Sequence, residues 1–208
     1  MVFKLQFGLV GDIFSVNIIL ASASPRRKQL LEAIIKDFDI VASCIDESEI
    51  KAETPILFAV KAAVAKARDV ALKYKNSIVI GADTIVILDG KILGKPKSKE
   101  EAISMLESLS NTTHDVVTGL AVINSDGLNE QSGYEVAKVT MKELSREEIL
   151  EYVKSGSPMD KAGSYGVQEI KDKFVKKIEG DYNNIVGLPV NLLIRFLSSL
   201  TGNQQSVD

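Results

Sequence analysis

The amino-acid sequence predicts an α/β fold within one domain. Strand-like and helix-like segments mix along the whole chain, and no repeat or low-complexity linker divides it into blocks. The length of 208 residues lies between one and two typical domains of about 150 residues. With 45% hydrophobic and 25% charged residues, the chain can bury a core, which excludes disordered and collagen-like classes.

The first half of the chain predicts strand, helix, strand, helix and a long strand. Residues 18–21 form a short apolar strand, after which Ser24 suits the N-cap and Pro25 the first turn of a helix. A second strand is expected over residues 38–42, and an alanine-rich helix over residues 55–74. Residues 77–88 give the strongest strand pattern, and Asp89 with Gly90 signals a hairpin turn after it.

The second half adds three helices and further strands. Ser98 with Glu101 and Ser145 with Glu148 have the spacing of capping boxes, which opens helices ending near residues 109 and 156. Strands are expected over residues 115–124 and 135–143, followed by strand-like runs at 165–168 and 174–178. A last helix covers residues 189–200, and residues 201–208 form a loose tail.

Composition excludes several classes of function. The 25 basic and 28 acidic residues give a net charge of −3, so no overall positive field is available for nucleic acid and none is expected as a partner. Cys44 is the only cysteine, which excludes an internal disulfide framework and a metal site built from several thiolates. His114 is the only histidine, which excludes a histidine-rich metal site. We expect Cys44 to be a small, at least half-buried apolar residue and His114 to be structural.

The N-terminal residues 1–17 are apolar but are interrupted by Asp12, and they lack a clear cleavage site. No apolar run reaches the roughly 18 residues that span a bilayer. We therefore expect a cytoplasmic protein with no membrane partner, in which residues 1–17 are an extension without an assigned role.

The turn SASPRR after the first strand predicts an anion site. Free N–H groups at a helix start, the hydroxyls of Ser22 and Ser24, and the guanidiniums of Arg26 and Arg27 would converge there. In the alternative interpretation Ser24 only caps the helix and both arginines are solvated.

Acidic and basic candidates lie further along the chain. Asp83 stands inside an apolar strand, where an unpaired carboxylate is costly, so it needs a cation, a donor network or a metal ion. Glu47 could supply a second carboxylate for Mg²⁺, or it could be a solvated loop acid. Lys95, on a turn between Gly94 and Pro96, and Lys66, in the alanine-rich helix, could bind phosphate or be solvated.

The glycine-rich segment PMDKAGSYGVQ contains Asp160, Lys161 and Gln168, whose side chains could hydrogen-bond the edge of a base. A structural role for Asp160 and Lys161 is the alternative. The glycine spacing elsewhere excludes dinucleotide-binding and phosphate-loop fingerprints.

Taken together, residues 18–200 resemble the Maf family of nucleotide pyrophosphatases, also called septum formation inhibitor proteins. The motifs that carry the resemblance are ILASASPRRKQLL, IDE at 45–47, KA at 66–67, GADT at 81–84, GKP at 94–96, PMDKAGSYGVQ and FVKKIEGDYNNIVGLP. The resemblance implies a two-lobed mixed-sheet fold similar to the inosine triphosphate pyrophosphatases, with the active cleft between the lobes. It also implies a nucleoside triphosphate substrate, a divalent cation (Mg²⁺ or Mn²⁺) and a homodimer.

Within this family the motifs look like those of the branch that hydrolyses dTTP and UTP to the monophosphate and pyrophosphate. The resemblance implies Asp83, Glu47 and Lys95 as catalytic residues, with Glu47 and Asp83 also binding the metal. It implies substrate binding by Ser22, Arg26, Arg27, Lys66, Thr84 and Gln168. The chain departs from the family pattern at residues 169–171 and at Ala137. A purine or 7-methyl-GTP pyrophosphatase and a non-catalytic nucleotide-binding regulator of cell division are the alternative functions.

Overall fold

A computed structural model describes residues 16–202, which form a mixed β-sheet covered by helices on both faces. The seven strands of this part are β1 (Asn17–Leu20), β2 (Asp39–Ile40), β3 (Ser77–Leu88), β4 (Lys91–Leu93), β5 (Thr113–Asn124), β6 (Glu130–Met141) and β7 (Val175–Glu179). Its α-helices are α1 (Pro25–Glu32), α2 (Pro55–Ala71), α3 (Lys99–Leu109), α4 (Arg146–Lys154), α5 (Val167–Phe174), α6 (Tyr182–Val186) and α7 (Val190–Gly202). The predicted α/β class is confirmed.

The strand order is β2-β1-β3-β5-β6-β7, and β4 also pairs with β3. β1 runs parallel to β2 and β3, whereas the remaining pairs are antiparallel. β1 ends beside Ile80 of β3, and β4 pairs with β3 only from Val86 onward. Within the described chain, the stretch of β3 between these two points therefore has an open edge, and this edge carries Asp83 and Thr84.

Helix α2 covers one face of the sheet at close range. Two glycines permit the approach: a Cβ at Gly119 of β5 would collide with the carbonyl of Ala59, and one at Gly81 of β3 with the carbonyl of Ala63. Because only hydrogen occupies these positions, the α2 backbone lies almost directly on the two strands. This contact brings Lys66 of α2 to the same face of β3 as Asp83.

The opposite face of the sheet carries two separate apolar clusters. One packs α1 and α7, through residues such as Leu31 and Leu193, against Leu20 and Ile80. The other packs α3, α4 and α5 against the far ends of β3, β5 and β6, through residues that include Leu106, Ile149, Phe174, Val86, Val116 and Val139. Since side chains alternate along a strand, Thr84 follows Ala82 of the first cluster and precedes Val86 of the second on this face.

Helix caps follow the sequence closely, with one exception. The Ser24 hydroxyl accepts from the Arg27 backbone N–H, and the reciprocal capping box of Ser145 and Glu148 is confirmed. The box predicted at Ser98 is wrong in its second half, because the Glu101 carboxylate accepts from the backbone N–H of Lys97 instead of Ser98.

Other element predictions need correction. The strand expected at residues 165–168 is wrong, because Val167 begins helix α5 and buries one face with Ile170 and Phe174 at helical spacing. The strand predicted at 38–42 is only two residues long, and β6 begins five residues before its predicted start at 135. The predicted burial of Cys44 is also wrong. Cys44 is exposed on a loop, and its own backbone N–H donates to the Asp69 carboxylate.

The extension at 1–17 and the tail at 201–208 lie almost wholly outside the described residues. Among the described residues, none of the helices has the length and apolar composition that a bilayer-spanning segment requires.

Candidate functional site

A cavity of about 740 Å³ opens at the exposed edge of β3. Its wall is formed by the turn after β1, the start of α1, the loop before α2, the turn after β4 and the segment leading into α5. It is lined by every site residue that the sequence singled out, namely Ser22, Arg26, Arg27, Glu47, Lys66, Asp83, Thr84, Lys95 and Gln168. Folding thus brings residues from positions 22 to 168 to one place.

Arg27 is fixed by three hydrogen bonds. Its Nε donates to the carbonyl oxygen of Gly187 at 2.8 Å, Nη1 to the Ser22 hydroxyl at 3.2 Å and Nη2 to the Thr84 hydroxyl at 3.1 Å. Burial lowers the pKa of this guanidinium, while the Asp83 carboxylate acts in the opposite direction. The interpretation of Arg27 as a solvated residue is therefore wrong.

The turn before α1 places Ser22, Ser24 and Arg26 on the cavity wall. The buried Ser22 hydroxyl accepts from the backbone N–H of Ser24 at 3.2 Å, which closes the turn. Arg26 is partly exposed, and its Nη1 lies 3.5 Å from a carboxylate oxygen of Asp160 on the facing wall. This end of the cavity is positively charged, with the N-terminus of α1 beside two guanidiniums.

Asp83 and Glu47 meet at a single cation, the ammonium of Lys66. The Lys66 Nζ lies 2.6 Å from Asp83 Oδ1 and 2.7 Å from Glu47 Oε1. The side chains of Asp83 and Lys66 are 9% and 12% exposed, whereas Glu47 is 48% exposed on a short 3-10 turn, Glu47–Glu49. The sequence-based requirement that Asp83 have a cationic partner is met by Lys66, which is therefore not a solvated lysine.

Asp83 and Glu47 offer carboxylate oxygens that could bind a divalent cation. Two carboxylates that approach one point are the ligand type that Mg²⁺ uses with water and substrate phosphates. Within residues 16–202 no cluster of three or more His, Cys, Asp or Glu side chains could hold a metal ion. The two carboxylates, whose oxygens both approach the Lys66 Nζ, are the donors that would hold a divalent cation once Lys66 turns away from the point between them.

Lys95 and Gln168 stand on the cavity wall without fixed roles in the packing. No hydrogen bond or ion pair of Lys95 is present among the described residues, so its ammonium is available to a ligand. Gln168 lies in the first turn of α5 and is exposed.

Two buried groups beneath the site escaped the sequence analysis. The Thr118 hydroxyl lies 2.9 Å from that of Thr84 and donates to the backbone carbonyl of Asn184 at 2.8 Å. The fully buried Asn184 side chain accepts from the Thr118 backbone N–H and donates to the carbonyl of Val116. The motif DYNNIVGLP contains this asparagine, but nothing local in it indicates a partner on β5.

His114 is structural, as expected. It is buried, its Nε2 lies 2.7 Å from the Tyr165 hydroxyl, and the two rings meet edge to face. Burial lowers the pKa of His114 to about 4, so the ring is neutral at neutral pH.

Comparison with known proteins shows close relatives over nearly the whole described chain. A family model described as Maf-like protein matches residues 17–200. A dTTP/UTP pyrophosphatase of Geobacillus sp. (strain WCH70) is 48% identical over 184 residues, covering 88% of this chain and 98% of the relative. Proteins of the same name from Ruminiclostridium cellulolyticum and Pyrococcus furiosus are each 47% identical, covering 88% and 87% of this chain and 96% and 94% of the relatives.

Proposed function

The chain belongs to the Maf family, as its motifs indicated, and on that premise we propose that it hydrolyses dTTP and UTP to the monophosphate and pyrophosphate. The observation that carries the proposal is the gathering of four candidate lysine and arginine ligands and two carboxylates around one cavity. Hydrolysis of a phosphoanhydride builds negative charge on phosphoryl oxygens, so positioning and electrostatic stabilisation dominate its catalysis. The substrate class is supported by the names of relatives that match over almost their entire length.

Phosphate binding falls to the positive end of the cavity. Arg26 is only loosely paired with Asp160, and Lys95 is unpaired among the described residues, so both can reach phosphate oxygens. Arg27 is already fixed by Ser22, Thr84 and Gly187 and can present its remaining N–H groups without further ordering. The Ser22 hydroxyl and the start of α1 complete this set.

The two carboxylates, Glu47 and Asp83, would hold Mg²⁺ or Mn²⁺ beside the phosphates. The cation, when bound, supplies positive charge to the phosphate oxygens and lowers the pKa of a bound water. Lys66, released from between the carboxylates, then becomes a further phosphate ligand. A carboxylate oxygen of Asp83 or Glu47 that is not engaged with the cation can accept the proton of the attacking water.

The cavity borders the apolar cluster of α3, α4 and α5 through Val86 and Val116, and we infer that it corresponds to the active cleft. The division into two lobes stays a prediction from the family. The likeness to inosine triphosphate pyrophosphatases and the homodimer remain predictions from the family.

Measurement of pyrophosphate release tests the proposal. Purified protein is incubated with dTTP, UTP, dCTP, GTP and 7-methyl-GTP in Mg²⁺ or Mn²⁺, and dTTP and UTP are expected to give the highest kcat/KM. Preference for the guanine nucleotides would instead support the purine alternative. Thermal stabilisation by nucleotide without turnover would support the non-catalytic regulator.

Asp83→Asn tests the site within the same assay. We expect kcat to fall by about 10² or more, because the variant loses a carboxylate from the reacting centre. Asp115→Asn is the matched control, since Asp115 also pairs with a lysine, Lys138, but at an exposed position outside the cavity. Near-normal turnover of Asp83→Asn would overturn the assignment of this residue.

A further inference from the structure

One wall of the cavity, the segment of residues 157–168, is held by an ion-pair network in which Asp160 and Lys161 line the cavity and Glu169 does not. The segment connects α4 to the first turn of α5 and contains two short 3-10 turns, Ser157–Asp160 and Ala162–Ser164. One backbone hydrogen bond, from the Gly163 N–H to the Gly94 carbonyl, ties it to the turn after β4, and side-chain contacts supply further restraint. Gln168 of this wall is a substrate-binding candidate and faces the cavity.

The centre of the network is Lys161, whose side chain is only 6% exposed. Its Nζ donates to the Ser157 carbonyl at 2.6 Å and contacts Asp160 Oδ1 at 2.7 Å and Glu169 Oε1 at 3.1 Å. The Ser157 hydroxyl oxygen also lies 3.2 Å away, so the three hydrogens of the ammonium have four protein acceptors around them. This arrangement favours the structural role of Lys161 over reading of a base edge.

Glu169 joins this lysine to α4 and α5. Its Oε2 accepts from the hydroxyls of Tyr152 and Ser157, at 2.9 and 2.5 Å, while Oε1 contacts Lys161. The Tyr152 hydroxyl in turn accepts from the backbone N–H of Gly166, the residue before α5. Burial opposes ionisation of Glu169, but its hydrogen bonds outweigh burial and lower its pKa, so the group is charged at neutral pH.

The network reaches the opposite wall through Asp160. One oxygen of Asp160 contacts Lys161, and the other lies 3.5 Å from Nη1 of Arg26. Asp160 is therefore shared between a buried lysine and an arginine that, in the proposed function, must turn to a phosphate. Because Glu169 also neutralises Lys161, the attraction of Lys161 for Asp160 is weaker than it would be without Glu169. The charge on Glu169 therefore affects how Asp160 and Arg26 are arranged.

We propose that Glu169 is a positioning residue for nucleotide binding, which sets the cavity wall and the adjacent Gln168 by neutralising buried Lys161. Glu169 does not line the cavity, so it acts through the wall and takes no part in the chemistry. The inference rests on the proposed function for its kinetic test, but not for its binding test.

Glu169→Gln is the informative substitution, because it keeps the size of the side chain but removes the charge and replaces one acceptor oxygen with an NH₂ donor. We expect the KM for dTTP to rise about tenfold, equal to about 1.4 kcal/mol, with kcat changed by less than about threefold. Lys161→Met combined with Glu169→Gln should recover most of the loss, because it removes the cation that was left uncompensated. A role in packing alone predicts no such recovery.

Glu107→Gln is the control. Glu107 also accepts from one cation, Arg146, and is 44% exposed compared with 39% for Glu169, but it lies away from the cavity. Tyr152→Phe removes a single donor to Glu169 and should raise KM by about twofold to fourfold, which keeps the test decisive if Glu169→Gln folds poorly.

Binding of a non-hydrolysable dTTP analogue, measured by calorimetry, separates this inference from the proposed function. A tenfold loss of affinity in Glu169→Gln supports the positioning role even if the wild-type protein shows no turnover. Unchanged affinity and KM in both Glu169→Gln and Tyr152→Phe would overturn it, as would a loss in Glu169→Gln that the second substitution at Lys161 does not recover.

Discussion

Replacement of Asn184 by alanine is expected to destabilise the fold beneath the site. The asparagine is fully buried, and its side chain satisfies two backbone groups of β5, the N–H of Thr118 at 3.0 Å and the carbonyl of Val116 at 2.9 Å. Alanine leaves both groups buried without these partners. A buried polar group that loses its partner costs about 1–3 kcal/mol, so the two together lower the free energy of unfolding by about 2–6 kcal/mol.

Urea unfolding followed by circular dichroism measures this loss. The midpoint should fall while the m-value stays constant, and the melting temperature should fall by about 2–4 °C for each kcal/mol. Asn183→Ala is the control on the same helix, since Asn183 is only half-buried and its side chain makes none of these bonds; a change below about 1 kcal/mol is expected.

The effect should extend to the cavity, because α6 carries Asn184 and is followed by Gly187, whose carbonyl accepts from Nε of Arg27. An Asn184→Ala protein that unfolds within about 0.5 kcal/mol of wild type would refute the reasoning that the two backbone groups depend on this side chain.

Two further predictions concern His114 and the packing of α2. Burial lowers the pKa of His114 to about 4, below the ordinary value of 6.5, so the stability it contributes is present above about pH 6.5 and is lost as the pH falls toward 4. His114→Gln should therefore reduce the difference in unfolding free energy between about pH 7 and about pH 4.5 by about 2 kcal/mol in urea titrations, and equal pH dependence in both proteins would contradict this. Gly119→Ala should lower the free energy of unfolding by about 1–3 kcal/mol, because the added methyl group meets the Ala59 carbonyl. Gly94→Ala is the control, since a methyl group at that position has open space around it. Equal melting temperatures for the two variants would argue against the close contact between α2 and the sheet.

Features that depend on neighbouring residues were predictable from the sequence. The cap at Ser24 and the capping box at Ser145 involve residues three apart, so the local pattern contains all the information. The long strand β3 was predicted with its observed bounds, because a long apolar run rich in β-branched residues between polar segments is typical of a strand.

The partners of the site residues could not be predicted in the same way. Arg27 and Gly187 are 160 residues apart, and Thr118 and Asn184 are 66 apart, so these contacts depend on how the helices pack on the sheet. The helical start at Val167 was missed because a short apolar run does not distinguish a strand from the first turn of a helix. The motifs identified which residues share the cavity, whereas their pairing, such as Lys66 between Asp83 and Glu47, required the fold.

The open edge of β3 has a consequence for solubility. Unpaired backbone groups on a strand are a template onto which another chain can add, and proteins commonly protect such edges with charged side chains. Here the edge carries the charges of Asp83 and its partner Lys66, two of the groups proposed for the reaction. Substitution of either residue by an uncharged one would therefore remove a charge from this edge as well as from the proposed site.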